Sequence, residues 1–211
     1  MNSSTLLLLL TLSSTFLSIA SQRCRLPNVR MELDVKKLSK LSWYTGLETN
    51  DITSIISCIK YENFTSTKSG FRTVLTERVI RYINFGIQYD YDENGIYHLR
   101  ESDREMDHAQ HIRGMNGLED QALLDMDHLI ATGNYVYLTD YKNYFAGFLC
   151  PSDGTSHDDQ QIIWGCFPSP NPTLSQVAAF INVLQEVGIF ANFHASTCSE
   201  TDWSRDVLIE K

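Results

Sequence analysis

Between Thr53 and Asp140 the chain is a succession of short runs rich in β-branched and aromatic residues, broken by polar turn signals at about the 8–12-residue spacing of an antiparallel sandwich or barrel. Gln88-Tyr89-Asp90-Tyr91 and Ile96-Tyr97-His98-Leu99 flank Asp92-Glu93-Asn94-Gly95, where Asn-Gly can take the positive φ angles of a tight hairpin. Residues 134–139, 144–150 and 161–164 read as further strands, each sending alternate side chains inward. One segment breaks the pattern. Leu174, Val177, Ala178, Ile181 and Leu184 fall at helical spacing, Thr173 and Gln176 can form a capping box, and Gly188 sits where a C-terminal cap belongs. An eight-stranded antiparallel up-and-down barrel with one C-terminal α-helix packed on its wall accounts for this order of elements, because closure removes exposed sheet edges. The fold class is all-β. With no repeat or linker after residue 20, residues 21–211 read as a single domain.

The N-terminus carries an address. Leu6 to Leu10 are unbroken leucine, the apolar run extends through Leu12, Phe16, Leu17 and Ile19, and Ser18-Ile19-Ala20 supplies small residues where a signal peptidase reads. Residues 1–20 are therefore expected to be a signal peptide cleaved after Ala20. The run falls short of the roughly 20 apolar residues of a spanning helix, so the mature chain is expected to be secreted and extracellular, with no integral membrane segment. Seventeen Lys and Arg against 26 Asp and Glu leave a formal charge of −9, which argues against nucleic acid as a partner and against a polybasic membrane patch. No glycine-rich phosphate loop occurs, which removes the common nucleotide enzymes.

Cys24, Cys58, Cys150, Cys166 and Cys198 remain after export. In an oxidising compartment four of them can form two bridges; five choices of the odd thiol and three pairings of the rest leave the arrangement open. Asn63-Phe64-Thr65 is an N-glycosylation acceptor, and export would make Asn63 usable.

Asp34 to Tyr44, ending in Ser42-Trp43-Tyr44, resembles the first signature of the lipocalin family, and Thr139-Asp140-Tyr141, continued by Lys142-Asn143-Tyr144, resembles its second. The 15 positions from Trp43 to Cys58 and the 11 from Thr139 to Cys150 look like the spacing of the apolipoprotein D and insect bilin-binding group. The likeness spans Cys24 to Cys198. Two positions depart from it: Leu41 stands where the first signature has glycine, and Cys166 where the family packs an arginine over the signature tryptophan. The resemblance implies bridges Cys24–Cys150 and Cys58–Cys198 with Cys166 unpaired, Trp43 plugging the closed end, and a small hydrophobic ligand (lipid, retinoid, steroid or pigment) carried in the barrel.

Burial of apolar ligand surface, at about 25 cal/mol per Å², would supply the affinity, and no cofactor is required, although a pigment or haem could itself be the guest. Tyr89, Tyr97, Tyr135, Tyr137 and Phe148 are the candidate ligand contacts, as aromatic residues in predicted strands. His98 and His128 also fall in predicted strands, and His108 and His111 lie three apart beside Asp107; none makes a recurring metal-ligand pattern, so no metal site is expected. The acidic residues 90–93 and 101–107 read as solvated loop charge. No catalytic residue is assigned and the chain is not expected to be an enzyme. Two other readings stand beside the carrier: an interaction protein with a side-chain-filled barrel, and an eicosanoid isomerase dependent on the spare thiol of Cys166. Ligand identity, tissue, oligomeric state and any cell-surface receptor are not legible in the sequence.

Overall fold

The structure, a computed structural model, describes residues 24–50, 53, 56, 58–78, 82–102, 119–152 and 162–203. The expected signal peptide, Asp107, His108 and His111 lie outside the described residues. The elements are a short helix α1 (Val35–Leu38) and strands β1 (Trp43–Thr49), β2 (Cys58–Ser66), β3 (Gly70–Arg78), β4 (Tyr82–Tyr91) and β5 (Tyr97–Ser102). Helix α2 (Glu119–Thr132) follows, then β6 (Asn134–Thr139), β7 (Phe145–Cys150), β8 (Ile162–Phe167), helix α3 (Leu174–Glu186), β9 (Phe193–Ala195) and a 3₁₀ turn at Thr197–Glu200. Strands β1 to β8 run antiparallel to their neighbours and close into a ring where β1 pairs with both β8 and β2. No helix among the described residues is long and apolar enough to cross a membrane.

Three elements were not foreseen. Helix α2 occupies the stretch read as strand around His128, so that residue is an exposed helical one; its segment Glu119–Thr132 has neither a strong apolar stripe nor a β-branched run to announce it. Helix α1 is a single turn whose N-cap, Asp34, accepts from the Lys37 N–H. Strand β9 pairs with β1 at Leu47–Ala195, Glu48–His194 and Thr49–Phe193, beyond the point where β1 leaves β2. It seals the seam of the barrel. Ser196 Oγ donates to the Thr45 carbonyl, and the Trp203 ring stands edge-on to Tyr44 at 5.1 Å.

Strand alternation divides the apolar residues into two clusters. Tyr135 and Tyr137 of β6, Phe145 and Leu149 of β7, and Ile162 and Trp164 of β8 belong to the interior. Their neighbours Val136, Leu138, Ala146, Phe148, Ile163 and Phe167 face outward, where α3 covers them with Phe180 and Leu184. The α3 capping box of Thr173 and Gln176 forms, and Gly188 takes φ +71° just past the helix. Gly165 lets the helix approach: a Cβ there would stand 2.7 Å from the Phe180 ring.

Successive hairpins alternate between two ends, and the N-terminal segment closes one of them. Leu33, Val35, Leu38 and Trp43 are buried, and the Trp43 indole N–H donates to the Leu38 carbonyl at 3.3 Å. Two tyrosine hydroxyls fasten this plug: Tyr97 Oη accepts from the Leu33 N–H and Tyr141 Oη from the Asp34 N–H, each at 2.9 Å. The β4–β5 turn lies against the same segment. It runs through the expected Asp92-Glu93-Asn94-Gly95, but of Asn94 and Gly95, Gly95 alone has positive φ (78°), and Asp92 accepts from the N–H groups of Asn94 and Ile96. Asp90 accepts from Ser69 and Arg100. These two carboxylates are turn anchors, a correction to their reading as merely solvated charge.

Asp140 organises the β6–β7 turn, where Tyr141 takes φ +61°. Its Oδ1 accepts from the N–H groups of Lys142 (2.9 Å), Asn143 (2.7 Å) and Tyr144 (3.3 Å). Burial pushes the Asp140 carboxyl up, but these donors and the Asn143 amide outweigh it and hold it below the usual value. A native pKa below the unfolded one stabilises fully above about pH 4 and loses that contribution as pH falls through the native value. Asp140→Ala is therefore expected to lower Tm by about 2–4 °C at pH 7, the equivalent of about 1 kcal/mol in a chain of this size. Thermal melts of both proteins on acidification should converge; a constant gap down to pH 2 would remove Asp140 as the anchor.

Disulfides tie both termini to the wall. Cys24 joins Cys150 with Cα atoms 5.6 Å apart, Cys58 joins Cys198 at 4.9 Å, and Cys166 is the free cysteine. The bridges span 126 and 140 residues of chain, so loop-closure entropy alone gives each an upper value of about 4–5 kcal/mol. Cys58→Ser expressed in a secreting cell should be retained or misfolded while Cys166→Ser is exported; immunoblots of medium and lysate read the difference, and equal export would contradict it.

Candidate ligand cavity

Inward-facing residues near the other end of the barrel do not meet across it. They leave a cavity of about 310 Å³, at the lower end of the usual range for ligand pockets. Its walls are built by strand parity. Ile59 and Tyr61 come from β2, Leu75 and Glu77 from β3, Phe85, Ile87 and Tyr89 from β4, and Leu99 from β5. Tyr135 of β6 and Trp164 of β8 complete the ring, while Ile130 and Ala131 of α2 border the mouth. The Tyr135 hydroxyl donates to the Ile130 carbonyl at 2.6 Å and so ties that helix to the wall.

Below the cavity the barrel is filled. Tyr137 stacks on Phe145 at 5.2 Å, and Phe71 meets Tyr89 at 5.2 Å, Tyr97 at 5.5 Å and Tyr137 at 5.7 Å. Aromatic rings in such tilted and stacked contacts form a rigid floor. Burial, with a smaller push from neighbours (Cys166 and Tyr89 on Tyr61; Tyr89 and Tyr61 on Tyr137), raises the Tyr61 and Tyr137 phenols well above their ordinary value, so both stay neutral.

The five candidate contacts separate. Tyr89 and Tyr135 line the cavity; Tyr137 lies in the aromatic floor; Tyr97 is deeper, pinning the N-terminal plug. Phe148 is placed outside the barrel, under α3, because it stands one residue out of step with Leu149. The sequence reading passed over Glu77, Leu75, Ile87 and Trp164. The parity that places Phe71, Thr73, Leu75 and Glu77 on one face was available, but nothing in the sequence says which face is inside.

Among the described residues the histidines do not come together. His98 sits at the closed end against Asp92 (3.1 Å), and His128 is exposed on α2. Among the described residues no three His, Cys, Asp or Glu side chains form a metal-binding group. Asn63 is exposed at a bulge of β2 with φ 55°.

No protein-family model matches the chain, and no curated protein matches it in sequence. Solved structures do match. The major allergen Per a 4 from cockroaches is 12% identical, covering 85% of this chain and 99% of its own, with a TM-score of 0.54. Lobster apocrustacyanin A1 is 13% identical over 81% of this chain and 88% of its own, with a TM-score of 0.50, and apocrustacyanin C1 is 14% identical with the same coverages and TM-score. The chain has the lipocalin fold. In this barrel Trp43 lies in the plug of the closed end, and Thr139, Asp140 and Tyr141 in the turn beneath it.

Cys166 faces inward beside Thr45 but is not part of the cavity wall. Burial pushes its thiol up to about 12, with Glu48 adding to the rise and Thr45 opposing it. At pH 8 native protein should therefore resist a disulfide-exchange thiol reagent, whereas one thiol per chain reacts after unfolding in guanidinium. Rapid labelling of the native protein would show the thiol accessible and this placement wrong.

Proposed function

We propose that this chain is a secreted lipocalin that binds and transports a small hydrophobic ligand in its barrel. The observation that carries the reading is the open-mouthed cavity of about 310 Å³, walled by aliphatic and aromatic side chains, at one end of a barrel whose other end is filled and plugged. Transfer of apolar ligand surface from water into such walls is favourable without any catalytic group, and a preformed cavity saves the cost of ordering a site on binding. Export is supported by the leucine-rich leader, two long-range disulfides and the exposed acceptor Asn63, which we take to be glycosylated. The apolipoprotein D and bilin-binding kinship rests on the signature residues and cysteine spacings.

The cavity favours smaller lipophiles over a tetrapyrrole or haem, and His98 and His128 lie away from it. The filled-barrel alternative describes the lower half of the interior only. The isomerase alternative asks for a thiolate at the site; Cys166 is a buried, protonated thiol outside the cavity wall. We accordingly read the protein as a binder without catalytic activity or an obligatory cofactor.

Organic extraction of protein purified from a secreting host, followed by mass spectrometry, should yield a stoichiometric lipophile. Titration with an environment-sensitive lipophilic fluorophore should saturate at one site. Ile87→Trp, which extends an inward side chain into the cavity, should abolish that response while keeping the native far-ultraviolet circular dichroism and a cooperative thermal melt. Neither extractable lipophile nor saturable uptake would defeat the reading.

A further inference from the structure

Two polar atoms on the cavity wall are not used by the fold. Tyr61 of β2 and Trp164 of β8 flank β1, line the cavity and are each 5% exposed. Among the described residues nothing hydrogen-bonds to the Tyr61 hydroxyl or to the Trp164 indole N–H, and neither atom is sealed within the wall, so both open on the cavity. The other polar lining groups are engaged. Tyr135 donates to the Ile130 carbonyl, Tyr89 shares a hydrogen bond with Tyr137, Arg100 holds Asp90 and Glu101 at the rim, and Glu77 and Ser102 have interactions of their own. Trp164 can only donate, and burial keeps the Tyr61 phenol in its neutral, proton-bearing form. The wall thus presents two spare donors to whatever fills the cavity.

We propose that the preferred guest of this cavity is a neutral lipophile bearing a carbonyl group, a ketone or aldehyde, whose oxygen accepts from the Tyr61 hydroxyl, with the Trp164 indole N–H as the second donor. The inference rests on the cavity being the binding site and narrows the class of ligand. A hydrocarbon guest strips water from both donors and leaves them unpaired in an apolar wall. A carbonyl oxygen has two lone pairs and no proton, so it takes up such donors without bringing a donor that needs a partner. A carboxylate also accepts, but it must shed its water among aliphatic and aromatic side chains. Arg100, the cation among the described lining residues, is half exposed at the rim and held by Asp90 at 3.0 Å, so it does not offset that cost inside. Sites built to hydrogen-bond one group discriminate sharply against analogues that lack it.

Benzophenone, diphenylmethane and diphenylacetate join the same two rings through a carbonyl, a methylene and a carboxylate-bearing carbon. Competition of each against the bound lipophilic fluorophore, with the mature protein at pH 7, should place benzophenone at least about tenfold tighter than either of the others. Tyr61→Phe, which removes the hydroxyl and keeps the ring, should bring benzophenone to within about threefold of diphenylmethane and leave diphenylmethane within about twofold of its original affinity. In the unmodified protein the NMR resonance of an isotopically labelled benzophenone carbonyl carbon should lie downfield of its position in hexane, and it should move back in the variant. The ranking and the resonance in the unmodified protein test the inference even if the variant misfolds. Equal or tighter binding of diphenylmethane, preference for the carboxylate, an unshifted carbonyl resonance, or failure of all three to displace a bound fluorophore overturns the carbonyl inference and leaves the carrier reading standing. No saturable uptake of the fluorophore together with no calorimetric binding of the three overturns both.

Discussion

Closure of the sheet is the constraint on which everything else depends. An open sheet of these strands would leave two edges unpaired; joining β1 to both β8 and β2 satisfies their backbone groups and forces every second side chain into one shared volume. Closure is incomplete by itself, because β1 meets β2 at only Trp43–Tyr61 and Tyr44–Lys60. The rest of the seam is taken by β9, by Ser196 on the Thr45 carbonyl and by the Cys58–Cys198 bridge. The C-terminal residues therefore belong to the wall, although they follow the last long strand by about a helix and a loop.

Once the volume is enclosed, its filling decides what the protein can do. Rings from β3, β4, β6 and β7 pack one end into a rigid floor, and the N-terminal plug is fastened beneath it by the hydroxyls of Tyr97 and Tyr141. Those tyrosines would be poor ligand contacts because their polar atoms are already engaged. Toward the mouth the interior is left open, and the cavity begins at Leu75, Ile87 and Tyr89. Stability and binding are thereby separated along the barrel axis. A substitution in the floor should act on folding, and one at Ile87 on the guest.

The strand segments, the capping box at Thr173 and Gln176 and the turn at Gly95 were legible because each is a local matter of period, cap or backbone angle. Helix α2 was not, since its apolar residues carry no clear stripe and its position is set by packing near the mouth, for which Tyr135 and Ile130 supply a visible tie. Phe148 and Tyr135 look alike in sequence, both aromatic in an apolar strand. A register offset of one residue sends one under α3 and the other into the cavity. Glu77 was invisible as a site residue because an acid near a strand end reads as solvent-facing.

The sequence by itself determined an all-β chain with one capped amphipathic helix and five cysteines, since periodicity, caps and composition act over a few residues. The family resemblance implied which cysteines meet, but the closed barrel alone brings them together and decides which face of each strand is inside and where the interior is left vacant. Those properties depend on residues more than 100 positions apart arriving within 4.9 or 5.6 Å of one another, a consequence of register and closure that no local pattern encodes.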